Sequence, residues 1–292
     1  MTPSAIRRVP DVAALLEISC SEIHAFAARS PTLYRRWREP KSSGGFRIIS
    51  APSEDLKRVQ RAMHDALFPL IFPSPTPWQV TSARRGAAAH RGQPTIIRLD
   101  ISAAFPSTST AMVRGALGRT RLDEPARRLV ARLCTDRGCL PQGSPASNRL
   151  LDEVLRPVDQ HIGSAADSAG VTYRRYADDF VLSGHSGVVA LADSLTDHAR
   201  HIGYVMAPDK RIVGGDGIPV QITGVIVDGF DMHTTPKFRA KVDAALRDHQ
   251  IDPSTSTRGR LAGARGWVDE IDDGAAEAKA IRTALRPEST SP

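Results

Sequence analysis

The spacing of hydrophobic positions changes period several times along this chain. Near the start, Val12, Leu15 and Leu16 follow Asp11 at helical spacing. Ser19 and Glu22 then have the spacing of a capping box in front of Ile23 and Phe26, so two short helices are expected. Residues 34–39 and 46–51 are alternating or β-rich runs joined by Lys41-Ser42-Ser43-Gly44-Gly45, the pattern of a hairpin. Ser53 caps a further helix, on which Leu56, Val59, Met63, Leu67 and Leu70 recur at helical spacing. A proline-rich connector spans 69–77. Strands are expected at 95–100, 172–176, 179–183 and 219–227, and helices at 107–135, 144–168 and 187–201. From Pro236 two or three helices follow, and the polar tail from Pro287 is expected to be disordered. No internal repeat is present.

Strands crossed by helices, β-α-β and then β-α-β, predict an α+β fold with a ferredoxin-like sheet. At 292 residues, 41% hydrophobic and 24% charged, the chain has the composition of a soluble globular protein. No apolar run is long enough to span a membrane, and the first residues lack the apolar stretch of a signal peptide. Cys20, Cys134 and Cys139 are odd in number and lack metal-site spacing, which suits buried thiols in a reducing, cytoplasmic setting. The net charge of +7 arises entirely within residues 1–100, where 15 Lys and Arg face 8 Asp and Glu. A basic N-terminal region suits a phosphate backbone or a nucleoside triphosphate, although a solvated face reads the same way.

The chemistry concentrates in Tyr176-Ala177-Asp178-Asp179. Two adjacent carboxylates lie between the β-prone runs 171–173 and 180–182, so the acids fall at a hairpin turn. Like charges this close need strong positive charge beside them, and a divalent cation with oxygen ligands supplies it. Asp-Asp in a turn is also common without function. A third acid, Asp100, ends the β-branched run 96–99 and is followed by Ser102-Ala103-Ala104-Phe105. The Pro/Gly-punctuated loop Leu140-Pro141-Gln142-Gly143 leads into a helix, with Ser144 as N-cap and Pro145 at N1.

This order of acid strand, Pro-Gln-Gly loop with its helix, and aromatic-x-Asp-Asp hairpin resembles the reverse transcriptases. The resemblance extends in order over nearly the whole chain. Residues 34–52 look like the fingers hairpin. Gly203-Tyr204 with Lys210 looks like the motif after the catalytic hairpin. Ile222-Thr223-Gly224-Val225 looks like the primer-grip strand, and Arg258 to Gly263 like a thumb helix. Bacterial retron enzymes carry Asn-Ala-x-x-His and Val-Thr-Gly signatures, and here Gly86-Ala87-Ala88-Ala89-His90 and Ile222-Thr223-Gly224 stand in those places. Ala207 replaces the usual asparagine of the later motif, and Ala104 the first of two usual aromatics.

The resemblance implies a right-hand polymerase. Its fingers would be 1–99, a ferredoxin-like palm 100–228, a short helical thumb 229–286 and a tail 287–292. It implies Asp100, Asp178 and Asp179 as the catalytic, metal-binding carboxylates for two Mg2+ ions, with Mn2+ as substitute and Asp179 less directly engaged. Lys41, Arg47, Phe105, Gln142 and Lys210 would contact the incoming deoxynucleoside triphosphate, Phe105 lying under its sugar. Gly143, Tyr176, Thr223, Gly224, Arg258 and Arg260 would position nucleic acid, with Ser147 and Asn148 as weaker candidates. His90 is either a subclass-specific RNA contact or structural. His198 and His201 read as surface residues. The implied activity is RNA-directed DNA synthesis of retron type, in anti-phage defence, on a structured non-coding RNA template, with a separate effector protein as partner. Stand-alone defence, diversity-generating and group II intron-like enzymes are the alternatives within the family. A catalytically idle RNA-binding module is the alternative of another class.

Overall fold

The computed structural model describes residues 6–41, 44–271 and 276–285. Expectations for Ser42, Ser43 and the tail from Pro287 lie outside the described residues. In chain order the chain forms α1 (Val9–Leu15), α2 (Cys20–Arg29), β1 (Tyr34–Pro40), β2 (Phe46–Pro52) and α3 (Glu54–Ala62). A π-helical stretch (Met63–Leu67) joins α3 to α4 (Phe68–Ile71), and α5 (Ala83–Ala88) precedes β3 (Thr95–Asp100). Helices α6 (Ala104–Ser107), α7 (Thr110–Gly118), α8 (Glu124–Cys134) and α9 (Ser147–Ser168) follow. Then come β4 (Thr172–Tyr176), β5 (Asp179–Gly184), α10 (Val188–His201), β6 (Ile212–Gly214), β7 (Val220–Ile222), β8 (Val225–Asp228) and β9 (Asp231–Thr234). Three helices end the described chain: α11 (Pro236–Ile251), α12 (Thr255–Ile271) and α13 (Ala276–Ala284).

The fold divides into two compact units. The first comprises Met1–Pro77, Ile101–Ile162 and Leu195–Ala207; the second comprises Trp78–Asp100, Gly163–Ser194 and Pro208–Pro292.

In the first unit, helices α1, α2 and α3 pack on α8. Most apolar positions read at helical spacing are buried, with Val12, Ile23, Leu56, Met63 and Leu67 fully so, while Leu15, Phe26 and Leu70 are half-buried. The Ser19–Glu22 capping box forms as expected, and the Ser53 hydroxyl accepts the Leu56 N–H. Strands β1 and β2 pair antiparallel, Pro40 opposite Phe46 and Glu39 opposite Arg47. Gln60, fully buried, donates to the Tyr34 hydroxyl (2.8 Å) and the Leu133 carbonyl (2.7 Å) and accepts from Ser144 (2.8 Å). A buried amide must satisfy each of its polar atoms, so this one side chain ties hairpin, helices and loop together.

In the second unit, β4-β5-β3-β6 form an antiparallel sheet. Taken in sequence order, the first strand lies between the third and fourth, which is the ferredoxin-like arrangement expected from the β-α-β pattern. Its faces differ. Ile97, Leu99, Tyr173, Phe180 and Leu182 on one face are at least 98% buried. Arg98, Asp100, Asp179 and Val181 lie on the other, since residues directly opposite across a pair share a face. A second sheet, β7-β8-β9, joins Ile96 and Val181 in a core with Val220, Ile222, Val225 and Val227. Helices α11, α12 and α13 bury Val242, Leu261, Val268, Ala278 and Ile281 among themselves.

Three expectations are corrected. The strand expected over 219–227 is a hairpin, because Thr223 (φ 44°) and Gly224 (φ 87°) turn the chain between β7 and β8. Positive φ at both central residues is the type I′ requirement. The helix expected over 107–135 is two helices, α7 and α8, the second capped by Asp123 through the Ala126 N–H (2.9 Å). The helix expected from 144 begins at Ser147, with Ser144 in the preceding turn, where its hydroxyl accepts the Ala146 N–H (3.2 Å).

Candidate active site

The acid pair is placed by strand register. Tyr176 opposes Asp179 across β4 and β5, leaving Ala177 and Asp178 as a two-residue turn. Only Ala177 (φ 52°) has positive φ there, the pattern of type II′. An alanine in this region carries Cβ strain, which a glycine would not. The fully buried Arg175 donates to the Ala177 carbonyl (2.7 Å) and helps fix the turn.

Asp100 and Asp179 lie directly opposite on β3 and β5. Like charges in that position repel, and the sheet answers with one cation each. Lys210 Nζ is 2.6 Å from Asp100 Oδ1, and Arg98 Nε donates to Asp179 Oδ1 at 2.7 Å. Arg98 also donates to the Gln221 carbonyl of β7 (3.1 Å), so it links the acid hairpin to the β7–β8 hairpin. Burial pushes the Asp179 carboxyl up to about 6, while the Arg98 bond pulls against it.

Asp178 differs. Among the described residues it has no ion pair. Burial raises its carboxyl above the usual range, and repulsion from Asp100 adds to that. A desolvated carboxylate beside a second one, with Lys210 and Arg98 near but no direct ion pair among the described residues, fits a hard cation with oxygen ligands. The fit is to Asp100 and Asp178, with Asp179 engaged by Arg98. No three carboxylate, histidine or cysteine side chains converge at metal-binding distance among the described residues.

Other expected site residues fall in both units. Tyr176 is 39% exposed beside the turn. Thr223 and Gly224 form the β7–β8 turn, where the buried Thr223 hydroxyl has no hydrogen-bond partner. Val80, Gly86, Arg174, Tyr176, Asp179, Val181, Ile222 and Thr223 line a cavity of about 10 Å³, room for one water molecule. Arg258 and Arg260 are exposed on α12, and Arg260 pairs with Asp248 at 3.1 Å. In the first unit, Gln142 accepts the Ser50 N–H at 2.9 Å, so the Pro-Gln-Gly loop lies against β2. A Cβ on Gly143 (φ 128°) would meet the Ser50 carbonyl oxygen at 3.2 Å, which explains the glycine. The Ser147 hydroxyl donates to the Pro141 carbonyl (2.8 Å), while Asn148 is exposed. Lys41 is exposed at the hairpin tip, and Arg47 is half-buried with its Nε unpartnered. Phe105 is half-buried on α6.

His90 is fully buried and meets the Ser183 hydroxyl at 2.7 Å, and burial drives its imidazole down to about 3. It is a neutral core residue in this structure. His198, read as a surface residue, is half-buried and stacks on His161 with ring centroids 4.6 Å apart. Sequence reasoning missed Arg98, Arg175 and Gln60. Only Arg98 left a signal, two residues before Asp100 and therefore on the same face of the strand.

The family described as "Reverse transcriptase (RNA-dependent DNA polymerase)" matches residues 39–225. Apo telomerase from Candida tropicalis has a similar fold, with a TM-score of 0.54 at 11% identity, over 86% of this chain and 57% of that one. The retron Mx65 reverse transcriptase of Myxococcus xanthus is 30% identical over 94% of this chain and 71% of its own length. The retron Ec86 reverse transcriptase of Escherichia coli is 28% identical over 77% and 71%. The chain belongs to the reverse transcriptase family, and within it to the bacterial retron type. It is an RNA-directed DNA polymerase with the α+β polymerase fold of that family, whose members generally use divalent metal ions. No helix among the described residues is long and apolar enough to cross a membrane.

Proposed function

We propose that this polymerase copies a structured non-coding RNA into DNA, using Mg2+ held by Asp100 and Asp178. The observation that carries the reading is the uneven neutralisation of the acids. Asp100 and Asp179 each pair with a cation, whereas Asp178 makes no ion pair among the described residues and feels Lys210 and Arg98 only at longer range. When bound, two divalent cations would activate the primer hydroxyl and neutralise the leaving pyrophosphate. Asp179 stays on Arg98 and fixes the turn that carries Asp178. Lys210 Nζ leaves Asp100 and gives a proton to the departing pyrophosphate.

In this reading residues 1–99 act as fingers, 100–228 as palm and 229–286 as thumb. Lys41 and Arg47 contact the triphosphate, and Phe105 lies under the sugar, where it excludes a 2′-hydroxyl. Gln142 and Gly143 meet the template and nascent pair. Tyr176, Thr223 and Gly224 seat the primer strand, and Arg258 and Arg260 hold nucleic acid along α12. The biological setting in this reading is anti-phage defence with a separate effector, as the resemblance to the retron family implies.

Primer extension tests the reading. Purified protein should extend a DNA primer on an RNA template with deoxynucleotides and Mg2+, and chelation should stop it. Phe105→Ala should raise ribonucleotide incorporation relative to deoxynucleotide. Absence of any extension by the wild-type protein would overturn the polymerase reading in favour of an idle RNA-binding module.

A further inference from the structure

An open cavity of about 590 Å³ in the first unit is lined by Arg7, Arg8, Asp11, Arg121, Leu122, Asp123 and Arg127. It shares no residue with the acid site. Four arginines face two carboxylates, so the lining is net positive. Both carboxylates are engaged in holding backbone. Asp11 accepts the Arg7 and Arg8 N–H groups (3.0 and 2.8 Å), and Asp123 accepts the Ala126 N–H (2.9 Å) at the start of α8. The Arg7 carbonyl accepts the Asp123 N–H (2.8 Å), which pins the two walls together.

Some exposed arginines elsewhere in this protein carry a carboxylate partner. Arg58, Arg114, Arg200, Arg211, Arg260 and Arg265 each pair with a carboxylate. Arg127 is partly engaged, donating to the Leu122 carbonyl at 2.6 Å and lying 3.8 Å from Glu124. The Arg7, Arg8 and Arg121 guanidinium groups make no ion pair among the described residues. Three guanidinium groups without an ion pair thus line one concavity. Guanidinium groups match phosphate oxygens in pairs, and several around one opening fit successive phosphates of a backbone better than one small anion.

We propose that Arg7, Arg8 and Arg121 form a binding site for the phosphate backbone of the structured RNA, separate from the acid site. The site reads backbone and shape, so it anchors the RNA and carries no base sequence. It rests on the reading of this chain as a polymerase that acts on a structured RNA.

The test compares wild-type protein with R7S/R8S/R121S, in which Asp11 and Asp123 remain to cap their helices. A synthetic stem-loop RNA without primer is titrated over a KCl series. The variant should bind about tenfold more weakly at 0.15 M salt. Its slope of log affinity against log salt should be shallower by about 2–3. Extension of a generic annealed primer–template at saturation should be unchanged. Among the described residues Arg121, in the loop between α7 and α8, makes no hydrogen bond or ion pair, so R121E alone tests the same direction if the triple variant folds poorly. Equal RNA affinity and equal slope in a folded variant would overturn the proposal. So would isothermal titration in which the variant loses binding of inorganic phosphate but keeps its RNA affinity, which assigns the cavity to a small anion. Failure of the wild type to extend primers would sink the polymerase reading alone, because the binding titration needs no synthesis.

Discussion

Two hairpins of the second unit turn the chain in two residues each, and they do it differently. The β7–β8 turn is Thr223-Gly224, with both residues at positive φ and glycine where Cβ would strain most. The β4–β5 turn is Ala177-Asp178, with an alanine at φ 52° and a half-buried carboxylate in place of a turn-former's freedom. Turn chemistry alone would place glycine at 177. The acid turn instead keeps a strained residue and gains its definition from Arg175 on the Ala177 carbonyl and Arg98 on Asp179. Strain held in place by surrounding bonds is a property of sites that must present one group in one direction. In the proposed reading the group presented here is the Asp178 carboxylate.

The sharpest way to break this comparison is to remove the presented group. Asp178→Asn should lower primer extension by at least about 10²–10³-fold, the scale of losing one preorganised electrostatic group, while RNA binding persists. Full activity in a folded Asp178→Asn protein would show that the two turns do not differ in function. Next in size is the support. Arg98→Gln leaves Asp179 buried and unpaired, and breaking a buried pair costs about 3 kcal/mol, with both partners at most 18% exposed. The denaturation midpoint should fall accordingly, and R98Q/D179N should recover most of the loss, since the stranded charge is gone. If the double variant is no better than Arg98→Gln, packing and not charge explains the effect.

A smaller, graded effect comes from His90, which lies against β5. Its folded pKa is depressed from 6.5 to about 3, so only the unfolded chain takes up a proton between those values. Stability is therefore complete above about pH 6.5 and falls as pH drops toward 3, by about 1.4 kcal/mol per unit. His90→Gln should flatten that part of the stability–pH curve relative to wild type. Parallel curves would show that the buried imidazole does not set it. The smallest effects compare the turns directly. Ala177→Gly should stabilise the fold by up to about 1 kcal/mol, and Gly224→Ala should destabilise it by about the same. Thermal melts giving both the same sign would show that positive φ is not the source.

Much of the fold was legible because local pattern dictated it. The capping box at Ser19, the buried stripe through Leu56, Val59, Met63 and Leu67, and strands β3, β4 and β5 all stand where period and turn residues put them. The hairpin at Thr223-Gly224 was misread as strand because Ile222 and Val225 continue a β-rich run across it. The break in 107–135 was missed because apolar spacing continues on both sides of Asp123. A periodic pattern records which residues face inward and not where the backbone reverses.

The acid motif, its order along the chain and its resemblance to reverse transcriptases came from sequence by itself, since adjacent carboxylates in a turn and an acid ending a strand are local statements. Tertiary structure decided the division of labour among the acids. Asp100 and Asp179 face each other only because β3 and β5 pair in this register. Lys210 and Arg98 neutralise them only because a 3₁₀ turn and the middle of β3 bring each cation to one oxygen. Asp178 is left over by that arithmetic of charge. Electrostatic interaction depends on distance in space and on burial, and neither is written in the spacing of residues along the chain.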